Sequence, residues 1–402
     1  MISQFSFKNF KSFKDETTFD FRATNIDDLK DTLIVDNQDG SKFLPVNVIY
    51  GPNGGGKTSL IQALSCVISL VVSPIYSLHK NHINNIIQHT IGYEPFLFDK
   101  TSATQPTEFN IYFRIGENEF RYYISLLNDE IVNEFLRRKS INGKKPATIF
   151  ERTGTRVVLG TMLEKIISSS IGANPKMPYL SFLAINYDIP IITEVAKWFE
   201  SCIIRNYSNP LVELTYTFFT DGKNKNLLLD SFKNMDIDIS DYWFDEVSKK
   251  PIIQHIVENE PYELALDFES EGTKKLFAIM PIFLHALQEG RLVIVDELDA
   301  KLHPKLLKYI IMLFSNQTIN KKGSQILFTS HDLCTMKNDV FRRDEIWFAS
   351  LNNHRASTIF ALSDVKKENG KIVNKTAAYD KQYIEGRYGA DPYLGKMLEW
   401  ED

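Results

Sequence analysis

Residues 51–58 read Gly51-Pro52-Asn53-Gly54-Gly55-Gly56-Lys57-Thr58: a glycine, four residues, then Gly-Lys-Thr. A loop of this pattern cradles phosphate oxygens in its backbone amides, which glycines leave free to turn inward. The Lys57 ammonium then meets the β- and γ-phosphates, and the Thr58 hydroxyl is a ligand for Mg²⁺. Both flanks agree. Val46-Asn47-Val48-Ile49-Tyr50 suits a buried strand, and Ser59-Leu60-Ile61-Gln62-Ala63-Leu64 opens a helix whose N-terminal dipole favours anions. The stretch predicts a nucleoside triphosphate, ATP with Mg²⁺, as ligand. A plain glycine turn would not account for the Lys-Thr pair or its flanks.

A second motif lies far along the chain. Val293-Ile294-Val295-Asp296-Glu297 sets two carboxylates at the end of an apolar strand, where open α/β sheets keep their ligands. Asp296 is suited to hold Mg²⁺ opposite Thr58, and Glu297 to polarise an attacking water as general base. An apolar run ending in Asp-Glu is also common without chemistry; the phosphate loop upstream is what favours a role here.

Ser270-Glu271-Gly272-Thr273-Lys274-Lys275 precedes an expected helix over 276–287. Ser270 can be a simple N-cap. It can also begin a second phosphate-binding helix terminus. One nucleotide does not easily sit on two helix N-termini of one chain, so Ser270 and Gly272 are expected to face ATP held by another protomer. His331, in Phe328-Thr329-Ser330-His331-Asp332, ends the next apolar strand and reads either as a packed polar residue or as a contact to the γ-phosphate. Asp299 is expected at the dimer seam, and His303 at the helix start beside Pro304.

The chain has 402 residues, ordinary globular composition and a net charge of −5, so nothing global argues for nucleic acid or an anionic membrane. The three cysteines, Cys66, Cys202 and Cys334, fit no zinc spacing and read as reduced thiols of a cytoplasmic protein. Lysines among the first phenylalanines argue against a signal peptide, and the apolar stretch 60–72 is too short and too interrupted for a membrane span. Phe5, Phe7, Phe19 and Phe21 alternate as in two antiparallel strands. Residues 108–114 and 120–126 form a hairpin about Gly116, a third strand covers 131–138, and Asn142-Gly143 turns again. Residues 161–250 look mainly helical, without sustained heptads. From about 260 strand and helix alternate. The expected organisation is a nucleotide-binding core in two halves, 1–95 and 261–402, around an insertion at 96–260.

In their order, the phosphate loop, Ser270-Glu271-Gly272-Thr273, Val295-Asp296-Glu297-Leu298-Asp299-Ala300 and Ser330-His331-Asp332 resemble the ABC-type ATPase head of the RecF/SMC/OLD class. Asn9-Phe10-Lys11-Ser12-Phe13, Leu302-His303-Pro304, Arg342-Arg343-Asp344-Glu345-Ile346-Trp347-Phe348, Leu362-Ser363-Asp364 and Gly386-Arg387-Tyr388-Gly389-Ala390 bring the resemblance closest to the RloA/AbiL-type ATPases of bacterial phage defence and abortive infection. The resemblance implies an α/β P-loop ATPase head, a mixed sheet flanked by helices, with an inserted β-hairpin and helical lobe. It also implies a homodimer or larger homo-oligomer and a separately encoded effector. Glu269 and Glu271 depart from the usual signature, so only Ser270 and Gly272 carry over. Gln88 and Gln105 both stand as candidates for a glutamine-loop residue. No coiled coil is expected, and no Toprim nuclease, because the residues after His331 lack a Glu plus Asp-x-Asp cluster.

Three functions follow: an ATP-hydrolysing dimer that holds or releases an effector, a repair-type clamp on duplex DNA, and a scaffold that cages a toxin with little turnover. The DNA reading rests on Arg137-Arg138-Lys139 with Lys144-Lys145 on one hairpin and on Lys301, Lys305 and Lys308, expected on one helix. Such charges are usually just solvated.

Overall fold

The structure, a computed structural model, describes residues 1–78, 92–167, 172–206, 222–248, 250–366, 370 and 372–390. The phenylalanine alternation produces β1 (Ile2–Lys8) and β2 (Thr17–Asp20), paired antiparallel. A small ribbon of β3 (Ile34–Val35) and β4 (Lys42–Phe43) leads to β5 (Val46–Tyr50), buried throughout, and then to α1 (Lys57–Leu78). A meander follows: β6 (Thr107–Ile115), β7 (Asn118–Leu127), β8 (Glu130–Ser140), β9 (Ala147–Thr153) and β10 (Arg156–Leu159). Next come α2 (Thr161–Glu164), α3 (Tyr179–Asn186), α4 (Pro190–Ser201), β11 (Ile203–Asn206) and α5 (Gly222–Asn234). A three-stranded sheet contains β12 (Asp241–Phe244), β13 (Pro251–Val257) and β14 (Glu260–Ala265). The chain continues through α6 (Glu271–Glu289), β15 (Leu292–Asp296), α7 (Pro304–Ser315), β16 (Gln325–Thr329), β17 (Ile346–Leu351), β18 (Ser357–Ala361) and α8 (Tyr379–Ile384).

Two large sheets organise the molecule. One is antiparallel, in the order β10-β9-β8-β7-β6-β1-β2; the other runs β11-β15-β16-β5-β17-β18 and is parallel except at its β17–β18 edge. Helix α1 lies between them. Leu60, Leu64, Val67 and Val71 share one core with Phe5, Phe109, Phe113 and Ile124 of the antiparallel sheet and with Ile49, Ile294 and Leu327 of the parallel one. The alternate residues Val48, Val293, Val295, Ile326 and Phe328 face a second core shared with α6 and α7. Strands covered on both faces read as unbroken apolar runs, which is why 46–50 and 292–295 looked buried. The length and hydropathy of α1 would suffice to cross a membrane, but two thirds of that apolar stretch, 67%, is buried inside the fold.

Three expectations change. The hairpin at 108–126 belongs to a seven-stranded sheet that is continuous with β1 and β2, its inward residues and the N-terminal phenylalanines being buried in one core with α1. Residues 161–250 are mainly helical where they are described, but they also supply a strand that the sequence did not suggest: β11 pairs parallel with β15, from Ile203 beside Val293 to Asn206 beside Asp296, at the edge of the nucleotide-side sheet. Lys301 is not on a helix with Lys305 and Lys308. Its φ is +63°, the helix begins at Pro304, and its ammonium pairs with Glu271 at 2.9 Å.

A candidate nucleotide-binding site at three strand ends

In the parallel sheet β16 sits between β15 and β5, so Asp296, Thr329 and the loop after Tyr50 meet at neighbouring carboxyl ends. The loop is compressed against the far edge of the sheet. Gly51 has φ +144°, and a Cβ there would lie 2.1 Å from the Ala349 carbonyl oxygen of β17. Gly56 has φ +109°, and its Cβ would meet Ser357 Oγ at 2.4 Å. Neither position admits a side chain, and the room kept open is the concavity of the loop.

That concavity is a cleft of about 340 Å³ lined by Ser12, Asn53, Gly54, Gly56, Lys57, Thr58, Ser59, Asp296, Glu297, Thr329 and His331. A volume of this size is within the range of small-molecule sites. Lys57 is buried, and its Nζ donates to the carbonyls of Gly51 at 2.8 Å and Pro52 at 3.1 Å. Burial pushes its pKa below the usual lysine range, while the carboxylates of Asp296, Glu297 and Asp299 pull it back up. An ammonium held by carbonyls at the floor of a cleft is placed to exchange them for phosphate oxygens.

Across the cleft, Thr329 Oγ1 donates to Asp296 Oδ1 at 2.6 Å and accepts from the Glu297 N–H at 2.7 Å. One hydroxyl therefore fixes both members of the carboxylate pair. Glu297 has φ +53°, uncommon for a residue with a Cβ, and its side chain is exposed toward the cleft. His331 lines the same cleft, and its N–H donates to Asp299 Oδ2 at 3.0 Å. Asp299 Oδ1 is buried without a partner. The oxygen donors Thr58 and Asp296, with room between for waters and phosphate oxygens, fit Mg²⁺.

The other site candidates divide. Gly51 does not line the cleft; with Asn53 and His331, which line both, it borders an adjoining cavity of about 300 Å³ that Tyr50, Ser330, Leu333 and Tyr383 complete. Pro52 and Gly55 shape the loop, through the Lys57 bond and a Gly55 N–H to Pro52 carbonyl bond of 3.0 Å. Ser270, Gly272 and Asp299 do not line the cleft. Ser270 is the N-cap of α6, its hydroxyl accepting from the Thr273 N–H at 3.1 Å, so the capping reading holds locally. Gly272 packs under the turn after Glu297, a Cβ there coming 3.1 Å from the Lys301 carbonyl. His303 caps α7, Nδ1 accepting from the Lys305 N–H at 3.2 Å. Gln105 is not on the cleft, and Gln88 lies outside the described residues.

Sequence reasoning assigned no role to three residues that matter here. Thr329 was visible only as the residue before Ser330-His331. Ser12 belongs to a tight turn docked on β18, its carbonyl accepting from the Ser357 N–H at 2.7 Å and its hydroxyl from the Ser357 hydroxyl at 2.8 Å. Lys275 is almost fully buried and donates to the carbonyls of Glu297, Leu298 and Ala300. A buried lysine five residues into a helix leaves no mark in composition or periodicity.

Among solved structures, the SMC head domain from Thermotoga maritima is similar at 14% identity, with 90% of this chain and 98% of that chain covered and a TM-score of 0.43. The SMC head bound to the C-winged helix domain of ScpA gives 14% identity, coverage of 90% and 97%, and a TM-score of 0.44. The recombination mediator protein RecF with ATP gives 14%, 90%, 97% and 0.31. No curated protein matches the sequence. The match that spans both halves of the site is to a family, over residues 46–336, from the strand before the phosphate loop to beyond His331. The chain belongs to the family described as "AAA domain, putative AbiEii toxin, Type IV TA system".

Proposed function

We propose that this AAA-family chain binds ATP with Mg²⁺, hydrolyses it as a homodimer or larger homo-oligomer, and controls a separately encoded effector, as in the RloA/AbiL type of abortive-infection defence. The observation that carries the reading is the single cleft in which Lys57, Thr58, Asp296, Glu297 and His331 converge. Lys57 releases its two carbonyls to hold phosphate oxygens, and the loop amides and the first turn of α1 add donors. Thr58 and Asp296 would hold Mg²⁺, which when bound would supply charge neutralisation on the phosphates. Glu297 accepts the proton of the attacking water, and His331 donates to the γ-phosphate. Ser270 and Gly272, away from their own cleft, complete the site of a partner chain. The family description, which names a toxin and a toxin–antitoxin system, supports the defence setting.

Glu297→Gln separates turnover from binding. It should lower kcat by at least about a hundredfold while nucleotide affinity stays within about threefold. Steady-state ATPase rates with nucleotide titration check this, and undiminished turnover would remove Glu297 from the mechanism. The same variant, purified with the products of neighbouring genes, discriminates the scaffold reading: effector release that no longer responds to ATP ties control to turnover, and unchanged release makes turnover dispensable.

The duplex-DNA reading has one structural support, the β8–β9 hairpin that carries Arg137, Arg138 and Lys139 on one side and Lys144 and Lys145 in its loop. Lys301 and Lys308 offer less, being paired with Glu271 and Asp339. DNA affinity that falls steeply with salt would move the assignment to the clamp.

A further inference from the structure

The turn from Glu297 to Lys301 is unusual because it contains two residues with Cβ atoms at positive φ, Glu297 at +53° and Lys301 at +63°. Such backbone persists only where its surroundings hold it. On the N-terminal side the holder is Thr329, through the Glu297 N–H. On the other side it is Lys275, whose Nζ donates to the carbonyls of Glu297 at 3.1 Å, Leu298 at 2.8 Å and Ala300 at 2.7 Å. A lysine ammonium has three protons, so all of its donors are used within one turn of backbone. The side chain is 1% exposed, which leaves no water to replace those bonds. Lys275 stands on α6, the helix that Ser270 caps, and the same helix reaches the turn a second time through the Glu271–Lys301 ion pair at 2.9 Å.

We propose that Lys275 is a positioning residue for hydrolysis: its ammonium holds the 297–301 turn so that Glu297 presents its carboxylate to the cleft, and it ties that carboxylate to the helix whose N-terminus is read as the partner-facing phosphate contact. The inference rests on the hydrolase reading given above. It makes α6 the member through which the state of Ser270 reaches Glu297, by rigid attachment rather than by a moving part. Lys275, Leu298 and Ala300 do not line the cleft, so the lysine is expected to act on the chemical step and not on binding. Displacing a general base by about an ångström is enough to slow its step about a hundredfold.

The test uses the full chain and Lys275→Met, which keeps most of the stem and removes the charge, with Lys275→Arg as a second variant that keeps the cation. Five preparations (wild type, Lys275→Met, Lys275→Arg, Glu297→Gln and the Lys275→Met/Glu297→Gln double variant) are compared for kcat, KM, affinity for a fluorescent ATP analogue and thermal melting. The expected result for Lys275→Met is a kcat lower by about a hundredfold, with KM and nucleotide affinity changed less than about threefold. Lys275→Arg should recover part of the loss. The double variant should be no slower than Glu297→Gln alone, because both substitutions act on one group. Full turnover in Lys275→Met overturns the inference. So does a loss in which nucleotide affinity and melting fall together with kcat and Arg gives no recovery, since that is a merely structural lysine. A wild-type chain that binds ATP and never hydrolyses it overturns the hydrolase reading as well, whereas wild-type turnover with an unaffected variant overturns this inference alone.

Discussion

Glu345 shows what burial does to one carboxyl. It stands just before β17 with 1% exposure; one oxygen accepts from the Arg342 N–H at 2.8 Å and the other has no partner. Burial pushes its pKa from 4.5 up to about 8, so at neutral pH the folded chain keeps a proton that the unfolded chain has released. Where the folded state binds more protons, stability falls as pH rises, here from about pH 4.5 to about 8. Glu345→Gln removes the titration and should flatten that part of the stability curve. Urea midpoints of the two chains at about pH 5 and about pH 8 check it, and parallel slopes would mean that Glu345 is ionised when folded. The neighbouring Arg342 and Arg343 were legible only as part of a family-like run. In the fold Arg342 pairs with Asp344 and Arg343 with Asp28, anchoring the 24–28 loop beside β17.

At the scale of elements, α1 bears on both sheets and carries the phosphate loop at its N-terminus. Leu64 is fully buried between the two strand layers. Leu64→Ala should cost about 3 kcal/mol, seen as a lower urea midpoint with an unchanged slope. A loss under about 1 kcal/mol would mean that the layers close over the gap. The elements most readable beforehand were those with strong periodicity, β6 and β7, where Phe109, Ile111 and Phe113 and then Phe120, Tyr122 and Ile124 are buried at every second position. The four-residue β11 was not readable. Two isoleucines between a helix and a polar stretch carry no signal, and only pairing with β15 makes them a strand.

At the scale of the whole molecule, Ser270 and Glu297 are expected to serve the same ATP only across two chains. Ser270→Arg and Glu297→Gln should each be inactive alone. Mixed in equal amounts, they should recover about a quarter of the wild-type rate, because half the dimers are mixed and each holds one intact site. Turnover measured before and after mixing decides this. No recovery under conditions where the wild type exchanges subunits would show that Ser270 does not complete a partner's site.

The sequence by itself determined the phosphate loop, the strand that leads into the Asp296-Glu297 pair and the strand that leads to Ser330-His331, because each is a short run of adjacent residues. It did not show that β16 lies between β15 and β5, which is a matter of sheet order and brings residues from three distant segments to one cleft. Nor did it show Thr329 bridging Asp296 and Glu297, or Lys275 holding the turn behind them. Those hydrogen bonds join groups that are 22 to 33 residues apart. A hydroxyl or an ammonium becomes a brace only when packing removes the water that would otherwise bind it, and packing is a property of the folded chain.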